Sequence, residues 1–365
     1  MNVETIKILN NYRSDIIKLN LSNSNIIGLL ELIKYSNLIE LICLSNQITN
    51  LNLVMDNLIR LNCSYCLITS LNNLPNSLID LNCSNCPMIN LENLPNSLQI
   101  LNCSNCPIIN LENLPNSLIK LNCSHCLITS LNNLPNSLIE LNCSNCSMIN
   151  MENLPYSLIE LNCSNCPIIN LENLPNSLIK LNCSYCLITS LDYLPNSLQI
   201  LNCSNCQMIS LDNLPNSLIE LNCVYNLIQL LDNLPNNLQI LKCSNCEIMN
   251  LNNLPNNLVQ LNCSYNMVTL LDNLPNSLKI LNCSNNTIIH LIGLSDNLEI
   301  LNCSCNEIKN LTLPKKLIEL NCYSNLIVNL NNLPKSVIRL SCSKNKIINL
   351  DKIKITNPNI KIIHK

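Results

Sequence analysis

The chain has 365 residues, a net charge of −3 and a charged share of 12%, against a usual share of about 25%. At this length one compact core stops growing, so either several globular domains or a repeat is expected. An alphabet with two Gly and no Trp, Phe or Ala favours a repeat. With no dense basic or acidic block, charge gives no support to nucleic acid or an anionic membrane as partner.

Residues 1–18 mix Ile6, Ile8 and Leu9 with Glu4, Lys7, Arg13 and Asp15. They hold neither the apolar stretch of a secretory leader nor a spanning run of about twenty apolar residues. This segment is expected to be an N-terminal cap, and the chain to be soluble and intracellular (cytoplasmic), not secreted. After Leu19 and Leu41, the tetrapeptide Leu-Asn-Cys-Ser begins at Leu61 and recurs, with weaker copies, every twenty residues to Leu301, then at Leu320 and Leu340. That makes about seventeen turns over residues 19–350. Residues 351–365 follow as a C-terminal cap, in which Ile353, Lys354 and Ile355 alternate before Ile360-Lys361-Ile362-Ile363, a pattern that reads as a last strand with a polar outer edge.

Within a turn, Leu101 and Cys103 alternate with Asn102 and Ser104, which predicts a short strand with apolar residues inward. Successive turns then build a parallel sheet. The return segment 110–117 is too short for a full helix, and Pro115 favours extended or polyproline-like backbone, so little α-helix is expected. No turn buries Leu101, Ile108, Leu111, Leu114 and Leu118 by itself, so each depends on its neighbours.

The run from Leu98 to Ile108 fits the pattern L-x-x-L-x-L-x-x-(N or C)-x-L and so resembles the leucine-rich repeat superfamily. Leu111-Glu112-Asn113-Leu114-Pro115-Asn116-Ser117 resembles its short twenty-residue L-P-x-x-L subtype, known from bacterial effector proteins. The composition, poor in Ala and rich in Asn, Ile and Leu, also resembles leucine-rich repeat proteins of giant amoeba-infecting viruses. The resemblance covers nearly the whole chain and implies a solenoid of the α/β horseshoe superfamily that binds partners on a concave strand face. Some bacterial relatives carry a separate ligase domain with a catalytic cysteine, but the repeats run almost to Lys365.

Nine copies of C-x-x-C, from Cys63 and Cys66 to Cys243 and Cys246, suit zinc ligation or thiol redox chemistry. Their places in the repeat favour packing instead. Sixteen cysteines, Cys43 to Cys342, fall in the third apolar slot of the strand as small buried hydrophobes. Nine more, from Cys66 to Cys246, fall in the (N or C) slot, which elsewhere holds Asn46, Asn226, Asn266, Asn286, Asn306, Asn325 and Asn345. The resemblance implies that this slot carries a ladder of side chains bonded to the backbone at the bend. A thiol is a weak donor where an amide offers two donors and an acceptor, so Cys should hold the bend less firmly. Cys305 stands outside both slots. Neither cap holds a cysteine, which agrees with an intracellular chain, and secretion would expose the repeated Asn-Cys-Ser acceptor to glycosylation.

Most of the outward face repeats Asn102 and Ser104, an Asn stack that can bond to itself along the sheet. Individuality appears two residues after the strand cysteine, at Tyr65, His125, Tyr185, Tyr225 and Tyr265, and just before the strand, at Ile200, Ile240 and Ile280. Tyr combines rigid area with a polar tip, so these rows are the candidate partner contacts, with ordinary drift at exposed positions as the competing explanation. In the row before the strand, Arg60 with Asp80 and Glu160 with Lys180 are expected to pair across strands.

His125, His290 and His364 lie in distant turns, and Gly28 and Gly293 are too far apart for a phosphate cradle. The sequence therefore points to a non-enzymatic scaffold for an unknown protein partner, without cofactor, metal or small-molecule substrate. A thiol-rich metal-binding array and a purely structural repeat are the alternatives.

Overall fold

The computed structural model describes residues 2–53, 55–88, 91–148 and 151–363. The chain divides into two compact units, Met1–Cys183 and Ser184–Lys365. In the first, the strands Lys18–Asn20, Glu40–Ile42, Arg60–Asn62, Asp80–Asn82, Ile100–Asn102, Lys120–Asn122, Glu140–Asn142, Glu160–Asn162 and Lys180–Asn182 pair in parallel and in chain order. In the second, Ile200–Asn202, Glu220–Asn222, Ile240–Lys242, Gln260–Asn262, Ile280–Asn282, Ile300–Asn302, Glu319–Asn321, Arg339–Ser341 and Lys361–Ile363 do the same.

Register is fixed by the buried leucine at the middle of every strand but the last, where half-buried Ile362 stands opposite Leu340. Leu121 stands opposite Leu101 on one side and Leu141 on the other, and a slip of one residue would turn this column outward. Leu98, Leu101, Cys103, Cys106, Ile108 and Leu111 of a single turn are all buried to within 1%. The strand begins one residue earlier than alternation alone suggests, at Ile100, and ends at Asn102. The residues expected just before the strand are therefore its first members and share its outward face.

Backbone pairing outlasts the strand. Cys103 and Asn105 donate their N–H groups to Asn122 O and Ser124 O of the next turn, both at 2.9 Å. Between these bonds the chain bends, and the bend requires left-handed backbone: Asn105 has φ 56° and Asn113, in the return segment, has φ 65°. Nearly every turn repeats both sites, usually with Asn, whose short amide tolerates this region better than other non-Gly side chains. The return segment is tied by serine as well. Ser117 Oγ donates to Leu98 O of the preceding turn at 2.6 Å, and Ser97, Ser137 and Ser157 repeat the bond.

Both ends carry a short helix. In α1 (Val3–Asn10), the Asn2 side chain accepts the Thr5 N–H at 2.8 Å, and the buried Tyr35 hydroxyl donates to Leu9 O at 2.7 Å. At the other end, the stretch read from alternation as strand is helical, α2 (Leu350–Thr356), and only Lys361–Ile363 pairs with the sheet. Ile353 is 3% exposed and Ile355 is 81% exposed, so these two residues never shared a face. His364 lies outside the described residues. No helix among the described residues is long and apolar enough to cross a membrane.

If Asn113 serves the backbone, Asn113→Ala should lower stability by about 1–2 kcal/mol, the cost of a Cβ in left-handed backbone without a polar tip, and Asn113→Gly should be close to neutral. Urea unfolding of the two variants tests this, and equal losses would rule it out.

Candidate functional site

The inner wall of the bend is the ladder slot. Asn226 fills it completely: Oδ1 accepts the N–H groups of Cys206 at 3.1 Å and Met208 at 3.0 Å, and Nδ2 donates to Cys203 O at 3.0 Å and Cys223 O at 2.9 Å. Asn46 and Asn266 make the equivalent bonds. Where Cys takes the slot, its thiol reaches back in the same direction, as Cys106 Sγ donates to Cys83 O at 3.4 Å and Cys126 Sγ to Cys103 O at 3.3 Å. One weak donor thus stands where the amide offers three bonding groups.

All the cysteines are free thiols, and every one except Cys246 and Cys305 is buried. Burial pushes the ladder thiols up, Cys86 and Cys146 to about 11 and Cys106 to about 12, because a thiolate would lose its hydration there. In two contacting pairs the thiols differ. The hydrogen bond between them holds Cys66 below its ordinary value while Cys43 rises, and Cys126 below while Cys103 rises. Among the described residues, no group of three or more His, Cys, Asp or Glu is placed to hold a metal ion.

On the outward face the strand Asn is engaged within its own turn. Asn62 Oδ1 accepts the Ser64 N–H at 3.1 Å and the Ser64 hydroxyl at 2.7 Å. The charged row is linked between turns, with Lys180 Nζ 2.5 Å from Glu160 Oε1 and Lys120 Nζ 2.6 Å from Glu140 Oε1. The expected Arg60–Asp80 pair does not form. Arg60 turns the other way, 2.9 Å from Glu40 Oε2, which Lys18 also reaches at 2.9 Å. Glu40 is thus held below the usual carboxylate value by Lys18 and Arg60, whereas burial raises Asp80.

The predicted contact residues fall into two groups. Tyr65 and His125 lie in the first unit; Tyr185, Tyr225 and Tyr265 lie in the second with Ile200, Ile240 and Ile280, which are half-buried on the strand face. The Tyr row is well exposed, Tyr185 at 60%, Tyr225 at 57% and Tyr265 at 55%. It also occupies the first left-handed site, at φ 58°, 58° and 55° respectively. Sequence patterning had no means of seeing this strain, although the recurrence of Asn at the same place was its trace.

A second signal was present and overlooked. Wherever that site holds Tyr or His, the residue two further on is a large apolar one: Leu67, Leu127, Leu187, Leu227 or Met267. Where it holds Asn, the partner position carries Pro87, Pro107, Ser147, Pro167, Gln207, Glu247 or Thr287. The two positions change together.

Short parallel strands, one per twenty-residue turn, with an Asn or Cys ladder at the bend, define the class as a parallel β-solenoid of leucine-rich turns. The chain belongs to the leucine-rich repeat family. It is similar to YopM from Yersinia enterocolitica WA-314, with 30% identity over 96% of this chain and 86% of that one and a TM-score of 0.74. It shares the fold of the functional domain of InlJ from Listeria monocytogenes, which includes a cysteine ladder, at 24% identity over 89% and 72% of the two chains and a TM-score of 0.63. The LRR protein LIC12759 of Leptospira interrogans has the same fold at 21% identity, over 100% and 98% of the chains, with a TM-score of 0.57. No protein-family model and no curated protein matches.

The buried thiols link stability to alkaline pH. Folded Cys86 and Cys146 titrate near 11, above their ordinary value of 9.0, so the folded state holds protons that the unfolded chain has already released. Their contribution is complete below pH 9 and is lost as pH rises toward the folded values. The urea midpoint should therefore fall between pH 9 and 11, and it should fall less in a Cys86→Ala/Cys146→Ala variant; identical pH profiles would contradict this.

Proposed function

We propose that the chain is a non-enzymatic scaffold that binds a protein partner on the outward strand face of its second unit, through the Tyr185, Tyr225 and Tyr265 row flanked by Ile200, Ile240 and Ile280. The observation that carries this reading is the retention of exposed Tyr in left-handed backbone. An Asn at that site is tolerated at lower cost, and a strained residue kept at the surface is a reason to look for a role there. Tyr supplies rigid amphipathic area of the kind concentrated at binding hot spots. Tyr65 and His125 offer a smaller contact of the same kind on the first unit. Buried thiols inside every turn but the first suit a reducing compartment, and the reading accordingly proposes the cytoplasm for the chain.

Replacing Tyr185, Tyr225 and Tyr265 together by Asn, the residue that other turns carry there, keeps the bend and removes the aromatic surface. Affinity capture from the native cell should lose its specific partner while the unfolding midpoint stays level or rises. Undiminished capture by the triple variant would defeat the reading.

A further inference from the structure

An apolar lane, one exposed side chain per turn, runs along the loop side of the second unit, just past the ladder slot, and was not anticipated from the repeat pattern. Leu187, Ile209, Leu227, Met249, Met267 and Ile289 come from six successive turns and are 40% to 70% exposed. The Tyr-bearing turns contribute the residue one place after the slot, and the intervening turns the residue three places after it. Every turn therefore adds one large side chain, and Leu230 and Leu270, also exposed, widen the lane. Glu307 and Lys309 end it. The row is crossed by one polar link, Gln229 Nε2 donating to Glu247 Oε2 at 3.0 Å from the turns of Leu227 and Met249. Scattered surface leucines need no explanation, but one exposed large apolar side chain in each of six successive turns is of the kind that marks an interaction surface.

Beside this lane, in the return segment of the same turns, stand Asp192, Asp212, Asp232 and Asp272. Asn213, Asn233 and Asn253 donate amide hydrogen bonds to the first three, which orients the carboxylates and leaves their charge in place. No ion pair neutralises them among the described residues. The only Lys or Arg residues between 184 and 300 are Lys242 and Lys279, already 2.7 Å from Glu220 and 3.5 Å from Glu299. The same stretch of a second copy would bring an apolar lane and only these two paired cations to this side.

We infer that the lane is a docking site for a basic amphipathic helix of a partner protein, its apolar face on Leu187 to Ile289 and its lysines or arginines toward the Asp row. Charge complementarity selects the basic flank. Length fits as well: six turns at a strand spacing of about 4.8 Å extend about 24 Å, the length of an α-helix of about sixteen residues, whose pitch of about 5.4 Å delivers close to one apolar side chain per turn of the solenoid. Leu187, Leu227 and Met267 each follow a Tyr of the row by two residues, but the lane uses none of the Tyr side chains and stands whether or not they bind.

The test uses the full chain and two synthetic helical peptides of equal apolar content, one flanked by Lys and one by Glu, followed by fluorescence anisotropy. The Lys peptide should bind and weaken as salt rises; the Glu peptide should bind at least tenfold more weakly. Ile209→Asn/Leu227→Asn/Met249→Asn, which leaves every charge unchanged, should weaken the Lys peptide tenfold or more with an unaltered circular dichroism spectrum. Equal binding of both peptides, or equal binding by wild type and variant, would overturn the inference. So would sedimentation showing a dimer of the wild-type chain that the same variant dissociates, since the lane would then belong to a second copy.

Discussion

A twenty-residue turn must leave its sheet, bend and come back, and the bend strips backbone groups of the partners a longer strand would supply. Buried N–H and C=O groups are costly when unpaired. The side chain in the ladder slot meets that demand. Asn226, at 3% exposed, bonds two backbone carbonyls and two N–H groups drawn from its own turn and the one before. The buried leucine column and the serine bond of the return segment then act on a turn whose bend is already closed. Because these bonds reach no further than one turn back, cohesion is strictly local, as expected of a quasi-one-dimensional stack.

The slot is filled unevenly. Cysteine holds it from Cys66 to Cys206, whereas Asn266 to Asn345 hold it without a break in the last turns. A thiol packs well and bonds weakly, so the Cys-filled turns rely more on apolar burial and the Asn-filled turns more on directed bonds. The same twenty-residue frame accommodates both because the residue at the slot is small and points inward in either case.

Much of this was legible in the sequence. The leucine period, the inward place of Cys103 and the slot shared by Cys and Asn follow from alternation and counting, since burial of one face imposes a period on the residue types themselves. Other features left weaker traces. A left-handed φ is invisible in a hydropathy pattern, so Asn113 read only as part of the repeat motif, and Tyr185 read as a candidate contact with nothing to mark its backbone. Ile353 and Ile355 alternate like a strand, yet three-residue periodicity from Leu350 to Ile353 to Thr356 admits a helix, and at a chain end no neighbouring turn decides between them. Arg60 had acidic residues on both sides, and only the Lys18–Glu40–Arg60 cluster shows which one it takes. The apolar lane escaped because its members alternate between two positions, so neither column read alone is continuous.

The Tyr-bearing turns follow one another at intervals of three turns from Tyr65 to His125 to Tyr185, then at intervals of two from Tyr185 to Tyr225 to Tyr265. A solenoid of this kind is a ruler whose graduations are whole turns. Inserting or removing one twenty-residue turn moves every mark beyond it by a single graduation and changes no contact type in the interior. The distance between two such outward side chains is therefore quantised by the backbone and free of the core, so duplication alone lengthens or shortens the spacing in a chain built this way.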